Sequence, residues 1–132
     1  MPERGSFELT TEDVGDDVRI VALRGDADRF RAEEVSRAIQ RARADGRTAL
    51  VDLAGTVFMD SSMLAAFVTA SDEARRAGGE LVLVVETPRL RRSLEVKGLG
   101  GILTVADSRA HALDLLGAGG GEAAGESVSE PA

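Results

Sequence analysis

Cysteine, tryptophan and tyrosine are absent from this 132-residue chain, and histidine and lysine occur once each. Without cysteine there is no disulfide and no thiolate metal site, as suits a reducing compartment. With aromatics at 3%, there is no set of rings on which bases could stack. The net charge of −7 opposes binding to phosphate backbones, whose affinity for proteins comes mainly from neutralisation by basic side chains, so no nucleic-acid partner is expected. No apolar run approaches the ~20 residues that cross a bilayer, and no basic N-terminal stretch leads into an apolar one as in a signal peptide. The expectation is therefore no membrane association and a cytoplasmic location. His111 has Asp107 and Asp114 at helical spacing and reads as a surface residue, because metal sites and catalytic triads need several converging groups. No cofactor, metal or catalytic activity is expected.

What is present is one domain's worth of ordinary globular sequence, 43% hydrophobic and 30% charged. Residues 117–132 stand apart: rich in glycine and alanine, with three glutamates and no basic residue, they offer nothing for a core and read as a disordered acidic tail. Residues 1–116 alternate between two periodicities. Phe7–Thr11 and Val18–Leu23 are strand-like and flank a hairpin turn at Val14–Asp17, with Gly25 ending the second run. From Arg29 to Ala44, apolar residues fall at 32, 35, 38, 39 and 42, a helical stripe, with Gly46 as its C-terminal stop. Ala49–Leu53 reads as a buried strand. A helix from Asp60 or the following serines to Ala77 presents Leu64, Phe67, Val68, Ser71 and Ala74 on one face. Leu81–Val85 is too short for a helix and suits a strand covered on both faces. Pro88 opens a short helix, Ile102–Val105 is the last strand, and Asp107 or Ser108 caps a helix ending at Leu116. The order ββαβαβαβα predicts an α/β domain: a mixed sheet with an N-terminal hairpin, parallel later strands and helices packed on it.

The chemistry-bearing stretch is Asp60-Ser61-Ser62, where a strand gives way to a helix. Aspartate and serine are preferred helix caps, so these residues have a sufficient structural reason to be there. The same place has a second use. A helix start carries about half a positive charge and exposed amides, and it lies at the carboxyl edge of the sheet, where α/β proteins hold their sites. Phosphorylation would add roughly −1.5 to −2 charge. The helix end returns only ~0.3–1 kcal/mol per charge, so the fold would barely respond. An interface would respond strongly, because an added charge without a partner costs several kcal/mol there. Physical reasoning alone does not choose between Ser61 and Ser62.

The run from Leu53 through Phe58-Met59-Asp60-Ser61-Ser62-Met63-Leu64 resembles the phosphorylation-site motif of bacterial anti-sigma-factor antagonists, STAS-domain proteins of the sporulation and stress-response type. Leu23-Arg24-Gly25-Asp26-Ala27-Asp28 is similar to that family's strand end and acidic loop. Thr87 through Leu99 is similar to its later helix and closing Gly-Leu. The resemblance covers most of residues 7–116 and implies a STAS-like single domain. It also implies a cycle in which the unphosphorylated protein binds an anti-sigma factor and frees the sigma factor. That partner is a serine kinase of the histidine-kinase-like ATPase type. It phosphorylates the first serine, here Ser61, and releases the antagonist; a metal-dependent serine phosphatase resets it. The implied partner-binding residues are Asp28, Asp60, Ser61, Ser62, Met63 and Leu64, in a monomer or weak dimer. Some STAS proteins serve instead as non-phosphorylated scaffolds or lipid-transport accessory subunits, which is the second reading.

Met63 departs from the family, which carries glycine after the two serines. Helical geometry puts Met63 about 200° around from Ser61. It is expected to rim the site and to pack into an apolar groove of the partner. Met59 and Met63 also occupy the places where a catalytic nucleophile elbow needs glycines. Gly98–Gly101 precedes a strand and so reads as a turn, not a phosphate loop. Arg89, Arg91 and Arg92 read as a solvated helix face, or else as part of a partner-binding rim.

Overall fold

The computed structural model describes residues 7–27 and 29–117. Nine elements follow in the expected order: β1 (Phe7–Val14), β2 (Val18–Ala27), α1 (Arg29–Ala44), β3 (Thr48–Met59), α2 (Ser61–Arg76), β4 (Val82–Val84), α3 (Pro88–Val96), β5 (Thr104–Ala106) and α4 (Arg109–Leu116). The strands form one sheet in sequence order, β1 antiparallel to β2 and the rest parallel. Because each crossover moves one strand along in the same direction, right-handed connections put α1, α2 and α3 on the same face. The protein is a mixed α/β single domain.

The strand alternation divides the apolar residues between two cores. Val21, Leu23, Val51, Leu53 and Leu83 meet Val35 and Ile39 of α1, Phe67 of α2 and Leu94 of α3 on one face. Val18, Ile20, Leu50, Val82 and Val84 meet Ala112, Leu113 and Leu116 of α4 on the other. Val82, Leu83 and Val84 are each 0% exposed, as expected of a strand covered on both sides.

Several boundaries differ from the sequence reading. Gly25 does not end β2. It sits within the strand at φ 99°, a conformation costly for other residues, next to two register shifts that let the strand continue to Ala27. The strand read as ending at Leu53 continues to Met59 as the rest of β3, held by the pairs Arg24 with Gly55, Asp26 with Phe58 and Ala27 with Met59. The segment read as an acidic loop beside the serines is therefore strand as far as Ala27; Asp28 lies outside the described residues. The last strand starts later, because Leu99 O accepts the amides of Ile102 and Leu103 at 3.0 and 2.9 Å and keeps them in a turn. Gly117, read as the first residue of the tail, closes α4 as its C-cap. The rest of the tail, residues 118–132, lies outside the described residues.

Candidate functional site

The carboxyl ends of β2 and β3 fix where α2 begins. Ala27 and Met59 pair and are both buried, and the next amide, Asp60 N, donates to Ala27 O at 3.2 Å. Asp60 then leaves the strand with extended angles, φ −86° and ψ 175°, and its Oδ1 accepts the Met63 amide at 3.0 Å. The first helical bond runs from Leu64 N to Asp60 O at 3.1 Å. Asp60 is thus the N-cap of a 16-residue helix, and the two serines form its first turn.

Ser61 and Ser62 are exposed, and among the described residues neither hydroxyl has a hydrogen-bond partner. The first turn holds no acidic side chain, so only the capping Asp60 opposes the positive end of the helix. The hydroxyls face solvent and are open to a modifying enzyme.

The next two residues turn the other way, which corrects an expectation. Met63 is 0% exposed and Leu64 6%, both within the core under α1, α2 and α3. Met63 continues as a stripe with Phe67, Ala70 and Ala74, all buried, at the four- and three-residue steps of a helix face. Its side chain serves the fold and does not rim the site, and neither Met63 nor Leu64 offers a surface to a partner. The inward direction also means that Met63 does not obstruct Ser61.

The structure adds aromatic residues that were not among the implied partner-binding residues. Of the four phenylalanines, Phe67 is in the core, whereas Phe30 and Phe58 are 77% and 52% exposed. Phe58 is the third residue before Ser61, and Phe30 lies in the first turn of α1, just past the end of β2, so both belong to the same edge of the sheet. β3 carries one more residue than β2 between the pairs Arg24 with Gly55 and Asp26 with Phe58, and across this irregularity Thr56 is buried at 0% exposure while Phe58, two residues on, faces out.

Other polar groups are structural. Asp52, 7% exposed, takes the Ala54 amide on Oδ1 at 2.9 Å and Arg109 Nε on Oδ2 at 2.5 Å, and Arg109 also reaches Glu12 at 3.4 Å. This ties the start of α4 across the sheet and, chiefly through the bond to Asp52, holds the Arg109 guanidinium above its usual range. His111 is exposed at the start of α4, with Nδ1 3.2 Å from Asp107 Oδ1. Ser108, one of the two residues read as the cap, accepts the His111 amide at 3.1 Å. Among the described residues no three His, Cys, Asp or Glu side chains gather as a metal-holding group. No described helix is long and apolar enough to cross a membrane.

The molecule is thus a mixed sheet with three helices on one face and a fourth on the other, with a pair of unengaged serines at a helix start on its carboxyl edge. The chain belongs to the STAS domain family, which it matches over residues 11–112. Among solved structures, it is similar to an anti-sigma factor antagonist from Mycobacterium paratuberculosis, with 22% identity, 88% of this chain and 98% of that one covered, and a TM-score of 0.77. It is also similar to the Bacillus cell fate determinant SpoIIAA in its phosphorylated form, with 24% identity over 82% of this chain and 98% of that one and a TM-score of 0.63. The same anti-sigma factor antagonist in its unphosphorylated form gives 22% identity over 82% and 96%, with a TM-score of 0.65. At these identities the likeness is one of fold.

Proposed function

We propose that this protein is an anti-sigma-factor antagonist that works as a phosphorylation-controlled binding switch, with Ser61 as the acceptor. The observation that carries the reading is an exposed serine, free of internal hydrogen bonds, in the first turn of α2, with exposed Phe58 three residues before it. Exposed aromatic residues are the usual anchors of protein interfaces. That a protein of the same fold has been solved in phosphorylated and unphosphorylated forms adds support.

In this reading the unphosphorylated face docks on an anti-sigma factor that is also a serine kinase of the histidine-kinase-like ATPase type, and a sigma factor is set free. The kinase transfers the γ-phosphoryl of ATP to Ser61 Oγ: the new O–P bond forms, ADP leaves, and the hydroxyl proton passes to a base on the kinase. The phosphoserine then carries roughly −1.5 to −2 charge in an interface that gives it no partner, and the complex separates. A metal-dependent serine phosphatase hydrolyses the ester and restores the binding state. The antagonist itself needs no catalytic group or cofactor, and acts in the cytoplasm as a monomer or weak dimer. The departure from the family pattern at Met63 gives no support to the second reading, a non-phosphorylated scaffold or transport-accessory subunit, because that side chain lies inside the core and leaves Ser61 exposed.

The test is phosphorylation by the cognate kinase with ATP, the site located by mass spectrometry. Ser61→Ala should abolish incorporation and hold the kinase permanently. Phosphate on Ser62 alone would refute the site, and no incorporation at all would favour the scaffold reading.

A further inference from the structure

The basic residues of α3 divide their labour in the folded chain. Arg91 turns inward, its Nη2 donating to Val85 O at 2.8 Å while its Nε is buried. Arg89, in the first turn of the helix, and Lys97, its C-cap, stay exposed. They flank a groove of about 550 Å³ between α3 and the end of β3. Met59 and Leu90, 7% and 5% exposed, form its apolar floor, and the half-exposed ring of Phe58 forms one wall. The Thr87 hydroxyl, also in the lining, is not spent on capping α3.

In a chain of net charge −7, many basic side chains find an anion: Arg19 meets Asp13 and Asp45, Arg43 meets Glu73, Arg76 meets Asp72, and Arg109 meets Asp52. Among the described residues Arg89 and Lys97 make no ion pair. Two unneutralised cations beside an apolar floor and an exposed ring match an acidic polypeptide segment that carries an apolar side chain. A lipid surface fits less well, since anionic headgroups would repel the rest of this acidic protein.

We infer that this groove is a second docking point on the switch face, taking an acidic segment with one apolar anchor from the partner that reads Ser61. The inference rests on the binding-switch reading for the identity of that partner. It also gives the phosphate a mechanism. Met59 in the groove is two residues from Ser61, so their Cα atoms are at most about 8 Å apart, within about one Debye length at physiological salt. A phosphoryl group on Ser61 falls in the field of the groove and competes with the acidic segment.

The experiment places a photo-crosslinking p-benzoylphenylalanine at Phe58 or at Ser62 in the full-length protein in its native cells, and sequences the adducts. Both positions should capture the same protein, with the Phe58 adduct on an acidic segment. With that protein purified, Arg89→Glu combined with Lys97→Glu should weaken the complex about 10-fold or more near 0.1 M salt, with the gap closing at high salt. Phe58→Ala should weaken it with the salt dependence retained, and Arg76→Glu, remote from the groove, should leave it unchanged. Melting curves confirm that each variant is folded. Wild-type affinity and salt dependence for the double variant overturn the inference. So does the absence of a Phe58 adduct, an adduct to a non-acidic segment or to a second copy of this chain, or pelleting with phosphatidylglycerol vesicles that needs Arg89 and Lys97. If phosphorylation of Ser61 still releases the partner in those cases, the switch stands without the groove. If the double variant weakens binding while phosphorylation changes nothing, the groove stands and the switch falls.

Discussion

Replacing Met63 with alanine should unfold the protein more readily without touching its switch. The side chain is 0% exposed and lies in the core that also holds Leu64, Phe67, Leu90 and Leu94. Burying a methionine is worth about 1.5–3 kcal/mol by transfer alone. Truncation in a packed core leaves a cavity that the neighbours fill only in part, which brings the usual cost to about 2–5 kcal/mol. At this chain length that corresponds to a fall in Tm of roughly 8–20 °C, at ~4 °C per kcal/mol. Met63→Gly should lose up to about 1 kcal/mol more, from the poorer helix propensity of glycine. Urea and thermal melts followed by circular dichroism, with an unchanged m value, measure the loss. Below the melting range, Ser61 should be phosphorylated by the cognate kinase at an unaltered rate. The reasoning fails if Met63→Ala costs less than about 1 kcal/mol, typical of surface sites, while affinity for the partner falls. That pairing would mean that the side chain belongs to the interface after all.

Two further outcomes follow from named contacts. Asp60→Ala removes the oxygen that holds the Met63 amide at 3.0 Å and should cost about 1 kcal/mol; Asp60→Asn should restore nearly all of it, and equal losses in the two variants would argue against capping. Asp13 is held below its ordinary value of 3.8, first by the hydrogen bond from Arg19 and then, against some desolvation, by the charges of Arg19 and Arg47. The unfolded chain therefore takes up this proton at a higher pH than the folded one. The contribution of Asp13 to stability is present above its unfolded value and is lost as the pH falls through the lower folded value. Between about pH 5 and 2 the urea midpoint of Asp13→Asn should decline less steeply than that of wild type, and parallel declines would discount the pair.

Much of the molecule was legible in the sequence because its signals are local. The helical stripe from Arg29 to Ala44, the five apolar residues at Leu81–Val85 and the capping residue Asp60 each announce an element by periodicity or by a backbone need that neighbouring residues meet. The order of elements then limits the sheet, since crossovers are right-handed, and the serines fall at its carboxyl edge in consequence. What the tertiary structure decided depends on partners distant in sequence. The continuation of β3 to Met59 rests on pairing with Arg24–Ala27, some thirty residues earlier, through a kink at Gly25 that no local pattern reveals. The direction of Met63 was open until packing chose: a helical position about 200° from an exposed serine can meet solvent, a partner or a core, and here α1, α2 and α3 converge on it. The arginines of α3 show the same division. As sequence they form one basic cluster, but the carbonyl of Val85 takes Arg91 for the fold, while Arg89 remains at the surface beside Lys97 and Phe58, which the chain brings together only by folding.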